Sequence, residues 1–142
     1  MKIADVLRSK GAGVVSIRPD DTVATLLAML DEKSIGAVVV STDGRDVVGI
    51  VSERDVVRHL HRTGASVVHG PVSAIMTTEV TTAGLDDDLE SLARTMTDRR
   101  IRHMPVVVDG GLHSIVSIGD VVKLRIDTLQ SERDQLVGYI QQ

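Results

Sequence analysis

Aromatic and sulfur chemistry is almost missing from this chain of 142 residues. It has no Cys, no Phe and no Trp, and Tyr139 is its only aromatic residue. Without cysteine there is no disulfide scaffold, thiol nucleophile, iron–sulfur cluster or cysteine zinc site. A single aromatic ring offers no stacking platform for single-stranded nucleic acid. The net charge of −4 also disfavours binding to a nucleic-acid phosphate backbone.

Long hydrophobic runs are missing as well. The N-terminal sequence MKIADVLRSK lacks the apolar stretch of a signal peptide. The wholly apolar runs, such as 26–30 and 37–40, are far shorter than a membrane span. We therefore expect a soluble cytoplasmic protein that does not associate with membranes.

Aliphatic residues supply nearly all of the hydrophobic content, which is 42% of the chain. A core of Val, Ile, Leu, Met and Ala is typical of buried β-strands covered by helices. Charged residues make up 25%, with both signs mixed along the chain, so no disordered charged tail is predicted.

Internal repetition is the strongest pattern. Residues 47–57 and 112–122 are identical at six of eleven positions, at a fixed offset of 65. Each segment contains a Ser-x-x-Asp motif, and an Asp-Gly pair precedes each at a matching distance. Gly64 and Gly70 mark a linker between the copies. We therefore divide the chain into a first repeat (1–62), a linker (63–70), a second repeat (71–124) and a C-terminal helical extension (125–142).

Each copy predicts the order β-α-β-β-α after a short helical turn. The predicted β segments are 14–17 in the first copy and 79–82 in the second. Asp20 and Asp21 then offer carboxylates suited to capping a helix. A β-hairpin through Asp43-Gly44 follows, and the last helix begins at the serine of the motif.

Together the two copies resemble a tandem pair of cystathionine β-synthase (CBS) domains, a Bateman module of the stand-alone kind. The resemblance is carried by strands that run into Ser-x-x-Asp, at 49–55 and 115–120, by Arg-His-Met-Pro-Val-Val at 102–107, and by Ile-Met-Thr at 75–77. It covers nearly the whole chain. It implies an α/β fold of two β-α-β-β-α repeats related by a pseudo-twofold axis, with a longer C-terminal helix, and a regulatory module without catalytic activity.

The resemblance also implies a ligand. CBS pairs commonly bind adenine nucleotides in clefts between the repeats, so we expect AMP first, with ADP, ATP and NAD as alternatives. The positions implied to contact it are Ser16, Ile17, Ala37, Val38, Ser52, Arg54, Asp55, Thr81, Arg102, His103, Met104, Pro105, Ser117 and Asp120. The rival interpretation is a ligand-free dimeric scaffold.

The Ser-x-x-Asp motifs have two interpretations from the residues alone. A serine at a strand-to-helix junction can cap the helix while the aspartate bonds backbone N–H groups of its first turn. Alternatively, the free helical N–H groups suit a phosphate. The resemblance favours the second interpretation, in which Asp55 holds a ribose.

The two copies differ at the entry to the first hairpin strand. Arg102 and His103 in the second copy correspond to Gly36 and Ala37 in the first, which offer no basic side chain. Glycine at 49 becomes serine in the second copy, where backbone approach is less free. We therefore expect unequal clefts. The resemblance to CBS pairs, in which each cleft draws on both repeats, further implies that Asp55 lies in the same cleft as Arg102 and His103.

Other chemistry is poorly supported. His59 and His61 stand two apart on a predicted helix and point in different directions, so we expect no metal site. Gly11-Ala12-Gly13 precedes a strand, whereas a dinucleotide-binding loop would follow one. No Gly-x-Ser-x-Gly elbow is present, and we expect no enzymatic activity.

The C-terminal stretch predicts one long helix. Its apolar stripe consists of Val122, Ile126, Leu129, Leu136 and Ile140. The stripe packs either on the module's own core or on a second subunit. We favour a homodimer, and an effector protein remains an open partner.

Overall fold

The computed structural model describes residues 1–10 and 13–141. The predicted glycine-containing fragment at Gly11 and Ala12, and Gln142 at the end of the predicted extension, lie outside the described residues. No helix of the described chain is both long and apolar enough to cross a membrane.

The secondary structure confirms a mixed α/β protein built from two similar halves. The elements of the first half are α1 (Ile3–Lys10), β1 (Ser16–Ile17), α2 (Val23–Lys33), β2 (Ala37–Val40), β3 (Gly49–Ser52) and α3 (Glu53–Thr63). Two 3-10 turns, Ala65–His69 and Val72–Ala74, connect the halves. The elements of the second half are α4 (Leu89–Arg99), β4 (His103–Val108), β5 (Gly111–Ser117) and α5 (Ile118–Ile140).

The sheets follow the predicted hairpins. β2 pairs antiparallel with β3 and parallel with β1, and β4 pairs antiparallel with β5. The β4–β5 turn holds Asp109 at φ 51° and Gly110 at φ 76°, the left-handed backbone that a tight two-residue hairpin requires.

The β segment predicted at 79–82 is wrong as a regular strand. Only Ala83 pairs with β4, through its N–H to the Pro105 carbonyl and its own carbonyl to the Val107 N–H, both at 2.9 Å. Upstream, Thr77 bonds Ile50 of β3 in both directions, at 2.8 and 3.0 Å. The segment is thus tied to both halves of the molecule, which leaves it no room to run along β4.

The capping prediction for α2 is also wrong. Thr22 caps this helix by accepting the Thr25 N–H, whereas Asp21 accepts the Arg18 N–H at 3.0 Å within the preceding turn. In the second half a carboxylate does cap the helix, because Asp88 accepts the Ser91 N–H at 3.2 Å.

The opening segment of each repeat is buried in the hydrophobic core of the other repeat. Ile3 and Val6 of α1 are buried in the core of the second repeat, and Val72 and Ile75 are buried in the core of the first. Each repeat is therefore completed by residues from the start of the other. This exchange holds the halves together and defines the cleft between them.

The apolar stripe of α5 does not pack on the module's own core. Its five members are between 48% and 79% exposed, although the neighbouring Val121 is buried. The interpretation that the stripe completes the monomer core is therefore wrong, and a large apolar surface faces solvent.

Candidate functional site

A cavity of about 240 Å³ lies between the two repeats. Its walls come from the start of β2, the β3–α3 junction, the segment 77–81 and the entry to β4. Seven predicted site residues line it together: Ala37, Ser52, Arg54, Asp55, Thr81, Arg102 and His103. The structure thus brings Asp55 into one cavity with Arg102 and His103, across nearly fifty positions of sequence.

The β3–α3 junction fixes Ser52 and Asp55. Ser52 ends β3 in an extended conformation and its hydroxyl accepts the Asp55 N–H, while Asp55 Oδ2 accepts the Ser52 N–H at 2.8 Å. This reciprocal arrangement is a capping box. Within the described chain, the recorded hydrogen bonds of the carboxylate all use Oδ2. Asp55 can therefore cap the helix and contact a ligand at the same time, because no donor of the described residues bonds its Oδ1.

Four guanidinium groups line the cavity: Arg54, Arg58, Arg100 and Arg102. Within residues 1–10 and 13–141, none of these four side chains makes a hydrogen bond or ion pair. The carboxylates in the lining come from Glu53, Asp55 and Glu79, so one positive charge is in excess. Guanidinium groups without partners are suited to bind a phosphate or carboxylate.

His103 is the first residue of β4 and pairs with Ser117, as Ala37 in β2 pairs with Ser52. Burial lowers the pKa of its imidazole, and the positive charge of Lys10 lowers it further, against the opposing effect of Asp120 and Glu53. The ring therefore favours its neutral form at pH 7.

Gly49 explains how Thr77 reaches the cavity. A Cβ on Gly49 would lie 2.7 Å from Met76 Sδ and 3.0 Å from the Thr77 carbonyl oxygen. Only glycine permits this approach, and the resulting pairing of Ile50 with Thr77 places the latter in the cavity wall.

Five other predicted site residues lie outside the lining of this cavity. Ile17, Val38 and Met104 are at most 2% exposed and belong to the two cores. Pro105 is buried within β4, and Ser16 is half-buried and pairs with Val39. Their role as ligand contacts stays a prediction.

The second Ser-x-x-Asp motif has the same cap but different surroundings. Asp120 Oδ2 accepts the Ser117 N–H at 2.9 Å, and it also accepts the Lys10 ammonium at 2.6 Å. Neither Ser117 nor Asp120 lines the 240 Å³ cavity. Burial alone would raise the pKa of Asp120, but the bonds from Lys10 and Ser117 outweigh it and lower the pKa.

Several lining residues were not predicted from the sequence. The sequence could have indicated Arg58, because this residue stands one helical turn after Arg54 and Asp55 on the same helix face. Glu79 belongs to the β segment predicted at 79–82, and Arg100 directly follows α4, where a cation also complements the helix dipole. The Lys10–Asp120 contact had no local signal, because it joins residues 110 positions apart.

The comparisons with known proteins identify the family. The CBS-domain profile matches residues 3–62 and 72–127. The chain belongs to the CBS-domain family. Its two matched segments make it a tandem CBS pair, as the repeat predicts.

Solved structures of stand-alone CBS proteins have the same fold. The CBS-domain protein ATU1752 from Agrobacterium tumefaciens is 40% identical, with a TM-score of 0.84 over 88% of this chain and 99% of that one. A CBS-domain structure named NE2398 is 36% identical, with a TM-score of 0.83 over 89% and 98%. The mitochondrial CBS-domain protein CBSX3 of Arabidopsis thaliana is 35% identical over 98% of this chain and 71% of its own.

The function follows at the level of the family. Stand-alone CBS pairs are regulatory modules, and these comparisons indicate no enzyme family. The inosine-5′-monophosphate dehydrogenase of Methanocaldococcus jannaschii is 29% identical, but the alignment covers only 22% of that enzyme.

Proposed function

We propose that this CBS pair is a non-catalytic sensor that binds one adenine nucleotide in the Asp55 cavity. The observation that carries the proposal is a cavity lined by Asp55 and by four arginines whose side chains have no hydrogen-bond or ion-pair partner among the described residues. A phosphate would face the arginines, and Asp55 Oδ1 would accept a ribose hydroxyl. The base would be covered by the aliphatic residues of the lining, Ile50, Val80 and Ile101.

Size and charge favour AMP over larger nucleotides. The cavity of about 240 Å³ falls below the roughly 300–1,000 Å³ typical of ligand pockets, which disfavours a dinucleotide such as NAD. Its three carboxylates offset three of the four arginines. A single phosphate group carries about two negative charges at neutral pH, and a triphosphate would place more charge against those carboxylates. ADP and ATP remain the alternatives.

A distant structure of the same fold supports the adenosine part of the proposal. The CBS pair of protein MJ0100 was solved with 5′-methylthioadenosine and S-adenosyl-L-methionine, at 21% identity and a TM-score of 0.80. At this identity the likeness shows the fold alone. It supports the view that a cleft of this architecture accommodates an adenosine group.

Calorimetry with AMP, ADP, ATP, NAD, GMP and CMP tests the proposal. We expect heat of binding from adenine nucleotides, with AMP binding tightest, and little from GMP or CMP. The absence of heat from every nucleotide, or equal affinity for AMP and GMP, would contradict it. Absence of binding would favour the rival function, a scaffold whose clefts stay empty.

We further propose a homodimer formed by the exposed stripe of α5. A hexameric assembly is reported for a cyanobacterial CBS-CP12 protein that is 27% identical over 86% of this chain and 69% of that one. The observation that supports association here is the exposure of five aliphatic side chains on one helix. A cytoplasmic location and an effector protein regulated by the bound nucleotide complete the proposal.

A further inference from the structure

The end of α1 reaches the second Ser-x-x-Asp motif. Lys10 is the last residue of α1, and its ammonium donates to Asp120 Oδ2 at 2.6 Å and to the backbone carbonyl oxygen of Ile115. Both partners are mostly covered, since the Lys10 side chain is 33% exposed and the Asp120 side chain 25%. Of the ion pairs in the described chain, this one joins the most distant positions and is the least exposed.

Among the described residues, no lysine or arginine donates a hydrogen bond to the carboxylate of the first motif, Asp55. The starts of the copies align with Ile3 on Val72, and at that offset the residue corresponding to Lys10 is Glu79. Glu79 lines the same cavity as Asp55. The pseudo-symmetric positions therefore carry opposite charges: a cation bonded to Asp120, and an anion that leaves Asp55 available.

Lys10 bonds the oxygen of Asp120 that also accepts the Ser117 N–H, Oδ2, whereas a ribose at the first motif would use the other oxygen of the aspartate, Oδ1. Its ammonium nevertheless stands against the carboxylate that a ribose would contact and neutralises its charge, and its second bond, to the Ile115 carbonyl oxygen, holds it beside β5. The last turn of α1 is thereby tied to the first turn of α5. A ligand at Asp120 would have to break a charge-assisted bond and move the end of α1.

We propose that Lys10 is an internal substitute for a ligand at Asp120, which limits the pair to one nucleotide per chain and closes the second cleft. The proposal rests on the proposed function for the first cleft. It gives the inequality of the clefts a specific cause. The closed cleft opens only when the ammonium is removed or the end of α1 is displaced.

Titration calorimetry with AMP on the full chain tests this proposal through stoichiometry. We expect one site per chain in the wild type and in Lys10→Arg, which keeps the cation, and two sites in Lys10→Met. Lys33→Met is the matched control, because Lys33 is also the last residue of its helix and lines neither repeat's motif. Asp120→Ala added to Lys10→Met should return the stoichiometry to one.

The carboxyl titration of Asp120, followed by nuclear magnetic resonance without nucleotide, gives a second readout. The pKa of Asp120 should rise in Lys10→Met and stay low in Lys33→Met. One site in Lys10→Met, or two in the wild type, would overturn the inference and leave the proposed function standing. Absence of AMP binding in every variant would overturn both. An unchanged pKa of Asp120 in a folded Lys10→Met would overturn the ion pair itself.

Discussion

The imidazole of His103 lies against the backbone of Gly36, so that a Cβ on Gly36 would be 3.4 Å from His103 Cε1. The glycine immediately precedes β2 and the histidine opens β4, so this contact joins the entries to the equivalent strands of the two repeats. It places one titratable ring between the motifs. Glu53 and Arg102 line the cavity together with His103, and the charges of Lys10 and Asp120 act on the ring from the second motif.

The first prediction concerns pH and stability. Because burial lowers the pKa of His103 in the folded state, the unfolded chain takes up the proton first as the pH falls below about 6.5. The free energy of unfolding should therefore be largest above that pH and decline below it, as the pH approaches the lower folded-state value. Urea unfolding between about pH 7 and pH 5 measures this slope.

The variant that tests it is His103→Gln, which should show a shallower decline than the wild type. His61→Gln removes a histidine from the exposed end of α3 and serves as the control. Equal slopes for the wild type and His103→Gln would contradict the assignment. AMP should in turn raise the pKa of His103, since a phosphate stabilises the protonated ring.

The second prediction separates phosphate from ribose recognition. Arg102→Ala should weaken AMP binding roughly 10- to 100-fold, because a charge-assisted hydrogen bond contributes about 1.5–3 kcal/mol. Its effect on adenosine should be small. Asp55→Ala should weaken both ligands, since both carry the ribose. Calorimetry with AMP and adenosine measures the four combinations.

Two controls keep structural damage apart from lost contacts. Arg94→Ala removes an exposed arginine of α4 outside the cavity and should leave both affinities unchanged. Asp120→Ala removes the same capping box from the other repeat, so it matches the loss of the cap in Asp55→Ala. Equal losses for AMP and adenosine in Arg102→Ala would remove the arginine from the phosphate site.

Much of the fold was predictable because the chain carries its pattern twice. The Asp-Gly turns, the hairpins and the serines that open the last helices are local features, and each is confirmed. The errors occur where distant contacts override local preference. Thr77 is hydrogen-bonded to Ile50 of β3, so the segment that follows it pairs with β4 only at Ala83.

The candidate site was predictable in part for the same reason. Asp55 and Arg102 could be placed together by resemblance, and the structure brings them into one cavity. The spacing of residues within a motif does not show which side chain from a distant element will contact it. The exchange of α1 between the cores decides that question, because it carries Lys10 to Asp120.

The third prediction concerns association. Leu129→Glu with Leu136→Glu places two charges on the exposed stripe of α5 and should convert a dimer into a monomer at micromolar concentration. Truncation after Asp127 should do the same while both repeats stay folded. Gln130→Glu with Gln135→Glu adds equal charge at positions outside the stripe and is the control. Light scattering that finds a monomeric wild type would contradict the dimer.

The fourth prediction concerns the close approach at Gly49. Gly49→Ala would bring a methyl group to 3.0 Å from the Thr77 carbonyl oxygen, which belongs to the backbone and is bonded to Ile50. We expect a loss of about 1–3 kcal/mol in the free energy of unfolding, the usual cost of overpacking. Because Thr77 lines the cavity, AMP affinity should fall as well.

Gly138→Ala is the matched control for this substitution. A Cβ on Gly138 would contact nothing within 4 Å, and the residue lies within α5. Alanine there should raise the free energy of unfolding by about 0.5–1 kcal/mol, because glycine is a poor helix former. Urea unfolding should therefore show a lower free energy of unfolding for Gly49→Ala and a higher one for Gly138→Ala, although both variants add the same methyl group. If Gly49→Ala proves neutral, the approach of Thr77 to β3 does not constrain the cavity wall, and the serine found in the second copy would be tolerated at 49.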